Sequence, residues 1–141
     1  MPLSMASKRK QNSVHLPIPR WASFTYSLFC VVLIPWTAYL SWVLPRRHLS
    51  PHWDISWVGL DIGILLTLLA TALLARRKSR WVAISATMVG TLLLADAWFD
   101  TMSSRVNRGL GQALFLALFV ELPVAAMSFT IAYRVLDKNI D

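Results

Sequence analysis

The stretch SWVGLDIGILLTLLATALLA-RRKSR-WVAISATMVGTLLLADAWFD, residues 56–100, decides the fold. It places two apolar segments of about 20 residues on either side of a short, strongly basic segment. A helix of this length rises about 30 Å, which is the thickness of the hydrocarbon core of a bilayer. The apolar residues form continuous blocks and do not alternate with polar faces. The stretch therefore predicts two helices that cross a membrane in opposite directions.

The same pattern of an apolar block bounded by polar residues occurs twice more in the chain. We predict membrane spans at residues 22–44, 56–75, 81–99 and 111–133. They form one domain over residues 21–135, between a basic tail at residues 1–20 and a short tail at residues 136–141. Seven Trp support this interpretation, since amphipathic aromatic side chains favour membrane interfaces. The predicted fold is an all-α, integral membrane, four-helix transmembrane bundle.

The distribution of Lys and Arg predicts the orientation of the chain. Four of these residues lie in tail 1–20, four in loop 76–80 and two near the C-terminus, against four in the other two loops. The positive-inside rule then places both termini in the cytoplasm. The bilayer accounts for the net charge of +7, so we predict no nucleic-acid partner.

Small residues recur along one face of several predicted helices. Ala117, Glu121, Ala125, Ser128 and Ala132 form such a stripe, and the first span carries a similar one, made of Ser23, Ser27, Cys30, Thr37 and Ser41. Small stripes allow close helix packing in membranes, so both are expected to face the bundle interior. Gly59 and Gly63 form a third small motif, which fits either packing within the chain or a homodimer.

Four carboxylates interrupt the apolar blocks: Asp61, Asp96, Asp100 and Glu121. An ionised carboxylate in hydrocarbon costs roughly 2.5–3.5 kcal/mol on insertion scales, so these side chains are expected to face the interior or water. In the predicted orientation all four can line one cavity that opens outward. Structural roles stay open beside this, such as a protonated acid bonded across helices or a pair between Asp96 and a loop arginine, Arg105 or Arg108.

The carboxylate cluster suggests a chemistry without naming a substrate. Buried carboxyl groups favour their protonated form, which suits proton exchange, cation binding or general-acid catalysis. Trp57, Trp98 and Phe99 lie near these acids in sequence and are predicted to line the same site. The sequence has no nucleotide, zinc or nucleophilic-serine motif. We therefore predict no metal centre and identify no cofactor.

Three short motifs resemble those of small four-span membrane proteins from actinobacteria. They are Trp57-x-Gly59-x-Asp61, the segment Asp96-Ala97-Trp98-Phe99-Asp100, and Glu121-Leu122-Pro123. The resemblance covers about residues 20–135. It implies a four-span architecture and the plasma (cytoplasmic) membrane, and it implies no particular reaction.

Three functional hypotheses follow from the sequence. The first is a membrane protein whose carboxylate site binds or translocates a proton, a cation or a small cationic solute. The second is an intramembrane enzyme in which Glu121 or Asp96 protonates an apolar lipid or isoprenoid, with aromatic side chains stabilising the cation. The third is an accessory subunit of a membrane complex that performs no chemistry.

Overall fold

A computed structural model describes residues 16–43, 52–104 and 109–138, apart from the side chains of Leu40, Val43, Trp53 and Asp54. The helices are α1 (Arg20–Val43), α2 (Trp53–Arg76), α3 (Val82–Ser103), α4 (Leu110–Leu116) and α5 (Leu122–Asp137). A π-helical turn, Ala117–Glu121, joins α4 and α5 into one continuous fourth span. The loop arginines Arg46, Arg47, Arg105 and Arg108 lie outside the described residues, as does most of the basic tail.

The described helices confirm the predicted fold class. Four helical segments are long and apolar enough to cross a membrane, and the described ranges contain no strand. Large apolar side chains cover the outer surface, including Phe24, Leu66, Ile84, Phe119 and Trp42, the last of which is 90% exposed. A surface with this much apolar area is stable in hydrocarbon and would aggregate in water. The chain is therefore a multi-pass membrane protein.

The helices pack in a sequential order around small side chains. α1 packs on α2, α2 on α3, and α3 on the fourth span. The small stripe of the fourth span is buried along its whole length, which confirms that it faces the interior. The stripe of α1 faces α2 only in part: Ser23 Oγ donates to the carbonyl of Ala72 at 3.1 Å, and Cys30 Sγ to that of Leu65 at 3.9 Å. Ser41, at the end of the predicted stripe, is exposed and donates to the carbonyl of Ala38 in its own helix.

The π-helical turn has a local cause in Pro123. Proline lacks an N–H, and its ring clashes with the carbonyl four residues before it, here that of Phe119. The chain widens just before this point, and the N–H of Leu122 donates to the carbonyl of Ala117, five residues back. The extra residue per turn changes the direction in which Glu121 projects relative to α5. Such turns are frequent at functional sites.

The glycines differ sharply in their surroundings. A Cβ on Gly90 of α3 would lie 2.8 Å from the ring of Phe129 on α5, so only glycine admits this ring. A Cβ on Gly59 or Gly63 would meet no atom within 4 Å. Neither glycine of the predicted Gly59/Gly63 motif therefore lies at a close helix contact among the described residues. The homodimer through these residues stays a prediction.

We expect Gly90→Ala to destabilise the protein relative to Gly111→Ala. The new methyl group on α3 must displace the Phe129 ring, and overpacking of this kind costs about 1–3 kcal/mol. The same change at Gly111 of α4 adds a methyl group that meets no atom within 4 Å and gains up to about 1 kcal/mol of helix propensity. Thermal unfolding of both variants in one detergent checks this, and equal melting temperatures would contradict the packing described.

A buried hydrogen bond ties the first helix to the last. Tyr26 Oη donates to Ser128 Oγ at 2.9 Å, and both residues have no exposed surface. The backbones of α1 and the fourth span do not approach each other closely within the described ranges. The Tyr26 side chain therefore bridges a gap between the two helices.

Replacing Tyr26 with Phe is expected to lower stability by about 1 kcal/mol, the usual net value of a buried neutral hydrogen bond. Tyr133→Phe provides the matched control, because Tyr133 is 69% exposed on the outer face of α5. Melting temperatures of the two variants measure the difference. A Tyr26→Phe protein as stable as the control would mean that the bond contributes nothing.

Candidate functional site

A cavity of about 540 Å³ opens where α1 and the fourth span diverge. One wall is α1, from Phe29 to Tyr39, and the opposite wall comprises Leu116, Val120 and Glu121. Its floor is provided by α2 and α3, through Ile64, Leu68, Leu93 and Asp96. Most of this lining is apolar, and the two carboxylates are the only charged groups that the described residues contribute to it.

The four predicted carboxylates divide into two pairs with respect to this cavity. Asp96 and Glu121 line it, whereas Asp61 and Asp100 do not. Asp61 is buried on α2, where its Oδ2 accepts a hydrogen bond from the hydroxyl group of Thr37 at 3.3 Å. Asp100 is half-buried in the last turn of α3, which continues to Ser103 and so beyond the predicted end at residue 99.

The carboxylates are close enough to influence one another. Asp96 is within electrostatic range of Glu121, Asp100 and Asp61. Glu121 in turn interacts with Asp100 and Asp61. Four ionised carboxylates in apolar surroundings would repel one another, so a bound cation would stabilise the group.

Glu121 has the least compensated environment of the four. Its side chain is 7% exposed, and its Oε2 atom is buried without a hydrogen-bond partner among the described residues. A buried polar atom without a partner costs about 1–3 kcal/mol, so natural structures seldom retain one. The side chain that carries this atom lines the cavity, although Oε2 itself has almost no accessible surface. A cation in the cavity would therefore compensate the charge of the carboxylate without contacting Oε2 directly.

The aromatic side chains of the cavity come from α1. They are Phe29, Trp36 and Tyr39, and the rings of the last two are 6.0 Å apart. They were not predicted from the sequence, because they are distant in sequence from the four acids. Their spacing of seven and three residues, which places them on one face of a helix, is the signal that points to them.

The aromatic residues predicted from the sequence lie elsewhere. Trp98 and Phe99 are more than half exposed on the outer surface of α3, and neither lines the cavity. Trp98 is two residues from Asp96, or roughly 200° around the helix, so the two side chains project in different directions. Trp57 is half-buried on α2 and also lies outside the cavity lining.

Among the described residues, no group of three or more His, Cys, Asp or Glu side chains is arranged to hold a metal ion. The predicted alternative pairing of Asp96 with Arg105 or Arg108 involves residues outside the described ranges. No known protein family, curated protein or solved structure matches this chain.

We expect Glu121→Gln to leave the fold and its stability almost unchanged, because the amide keeps the size and the hydrogen-bonding capacity of a protonated acid. Glu121→Met is expected to stabilise the protein by about 1–2 kcal/mol, since it removes a buried polar group that lacks a partner. Thermal unfolding in detergent tests both. Loss of folded protein with Glu121→Gln would instead show that this carboxyl group is structural.

Proposed function

We propose that the protein binds a small lipophilic organic cation in the cavity between α1 and the fourth span, in exchange for a proton held by Glu121 and Asp96. The observation that carries this proposal is the buried Oε2 atom of Glu121, which has no partner among the described residues and belongs to a side chain that lines a mostly apolar cavity together with Asp96. A cation in the cavity would compensate the charge of this carboxylate. A proton would do so when the cavity is empty.

The lining favours an organic cation over a metal ion. Metal ions such as Mg²⁺ and Ca²⁺ need several oxygen ligands, whereas this cavity presents two carboxylates among apolar walls. Phe29, Trp36 and Tyr39 offer aromatic faces to a positive charge, as in sites that recognise quaternary ammonium groups. The volume of about 540 Å³ lies within the range of small-molecule sites.

The neighbouring carboxylates suggest a route for protons or cations. Asp100 lies in the last turn of α3, and Glu121 lies roughly midway along the fourth span. The charge distribution supports cytoplasmic termini in the plasma membrane, which would direct the Asp100 end outward. We propose that ions enter from this side. The homodimer through Gly59 and Gly63 is a separate proposal, because neither glycine lines the cavity. Neither the enzyme nor the accessory-subunit hypothesis has a comparable observation in its favour.

The test measures binding of tetraphenylphosphonium to the purified protein in phosphatidylcholine nanodiscs by equilibrium dialysis. We expect Glu121→Gln and Asp96→Asn to weaken binding by about tenfold or more, since each removes a counter-charge in a low dielectric. Trp36→Leu is expected to weaken it several-fold by removing an aromatic face. Affinity should fall as the pH is lowered from about 8 to about 6, because protons and the cation compete for one site.

The matched control is Asp137→Asn, which makes the same chemical change at an exposed residue on the last turn of α5. It should bind the cation like the wild-type protein. Equal losses in Asp137→Asn and Asp96→Asn would reduce the effect to surface charge. Binding that does not depend on Glu121, or no binding by the wild-type protein, would refute the proposal.

A further inference from the structure

A second cavity lies at the opposite end of the bundle and has the opposite charge. It has a volume of about 530 Å³ and lies between the start of α1 and the end of α2. Arg20, Arg76 and Lys78 line it, together with Ser23 and Ser27, and none of the described acidic side chains does. We call this cavity the basic cleft.

The position of the basic cleft selects the kind of anion that can reach it. Both helices that form it are long and apolar enough to span a membrane, and the cleft lies at the ends of their apolar segments, beside the basic residues 76–80. Trp21 and Trp81 are exposed at this end, as expected for side chains at the headgroup level. An anion held here is therefore at the depth of phospholipid headgroups.

The basic cleft is also apolar on one side. Ile18, Pro19, Phe24 and Ala75 complete its lining. Phe24 is 69% exposed, and Leu28, one turn further along α1, continues the same apolar surface toward the centre of the span. The cleft thus has cationic groups for a phosphate and an adjoining apolar surface for an acyl chain. A free phosphate ion would use only the first of these.

The backbone at Lys78 supplies an independent observation. Lys78 has a φ of 48°, in the left-handed region that normally selects glycine. Its N–H donates to the carbonyl of Ala75 and that of Ser79 to Leu74, which together form the motif that commonly ends a helix with glycine at this position. The chain therefore carries a lysine where glycine would be less strained. The lysine side chain is not needed to end the helix, and it lines the basic cleft.

We propose that the basic cleft binds the phosphate group of an anionic phospholipid, with Arg20, Arg76 and Lys78 holding the headgroup and Phe24 contacting the acyl chain. Basic pockets between membrane helices are typical sites for anionic headgroups. Phosphatidylglycerol is a suitable probe, because it combines one phosphodiester charge with two acyl chains. This site is independent of the cavity that contains Glu121.

The experiment titrates phosphatidylglycerol or phosphatidylcholine into the detergent-purified protein and counts bound lipids by native mass spectrometry. We expect phosphatidylglycerol to bind more tightly than the zwitterionic lipid. Arg76→Gln and Lys78→Gly should each weaken it about fivefold, the effect of removing one cation near an anionic headgroup. Lys78→Gly should melt at the same temperature as the wild type or higher, because glycine relieves the strained φ.

The matched control is Arg77→Gln, which removes the same charge between the two test residues but outside the lining of the basic cleft. It should change phosphatidylglycerol binding by less than about twofold. Equal weakening by Arg76→Gln and Arg77→Gln would show general attraction to a basic surface and overturn the proposal. Displacement of the lipid by millimolar inorganic phosphate would overturn the role of the acyl chain and leave a site for free phosphate.

Discussion

The rest of this structure depends on one constraint: hydrocarbon provides no hydrogen-bond partners, so each polar group must find one inside the protein. Helices satisfy the backbone. Hydroxyl groups find acceptors within their own helix: those of Thr71, Thr87 and Thr130 each donate to the backbone carbonyl four residues earlier. Tyr26 and Ser128 satisfy one another across the bundle. These threonine hydroxyl groups are therefore satisfied within their own helices, whereas the Tyr26–Ser128 bond also links two helices.

Against this constraint, Glu121 is the informative exception. The same fold that pairs Tyr26 with Ser128 leaves the Oε2 atom of a buried carboxyl group without a partner. The cause is local, since Pro123 forces the π-helical turn that sets the direction of Glu121. A pairing hydroxyl group on α1 would have removed the cost, as Thr37 does for Asp61. A site that must accept a ligand cannot also be filled by its own neighbours, which is the usual conflict between stability and function.

Much of the fold could be predicted from the sequence, because the bilayer imposes length and composition on each span. The burial of Asp61, Glu121 and the small stripe of the fourth span also follows from helical periodicity. Relations between helices do not follow. The sequence does not indicate that Gly90, and not Gly63, contacts an aromatic ring of another helix. This depends on how each helix is rotated about its axis. The aromatic lining of the cavity, which is Phe29, Trp36 and Tyr39, was not predicted for the same reason, since α1 is distant in sequence from the acids.

Helix α1 lines both cavities. Phe29 and Trp36 line the cavity that contains Glu121, and Arg20 lines the basic cleft. Between them, the side chain of Tyr26 reaches across to the fourth span, although the two backbones do not meet closely in the described ranges. A ligand in either cavity therefore contacts a helix that is attached mainly on its α2 side. Two such ligands affect one another only to the extent that each prefers a particular position of α1, and the coupling must then be equal in both directions.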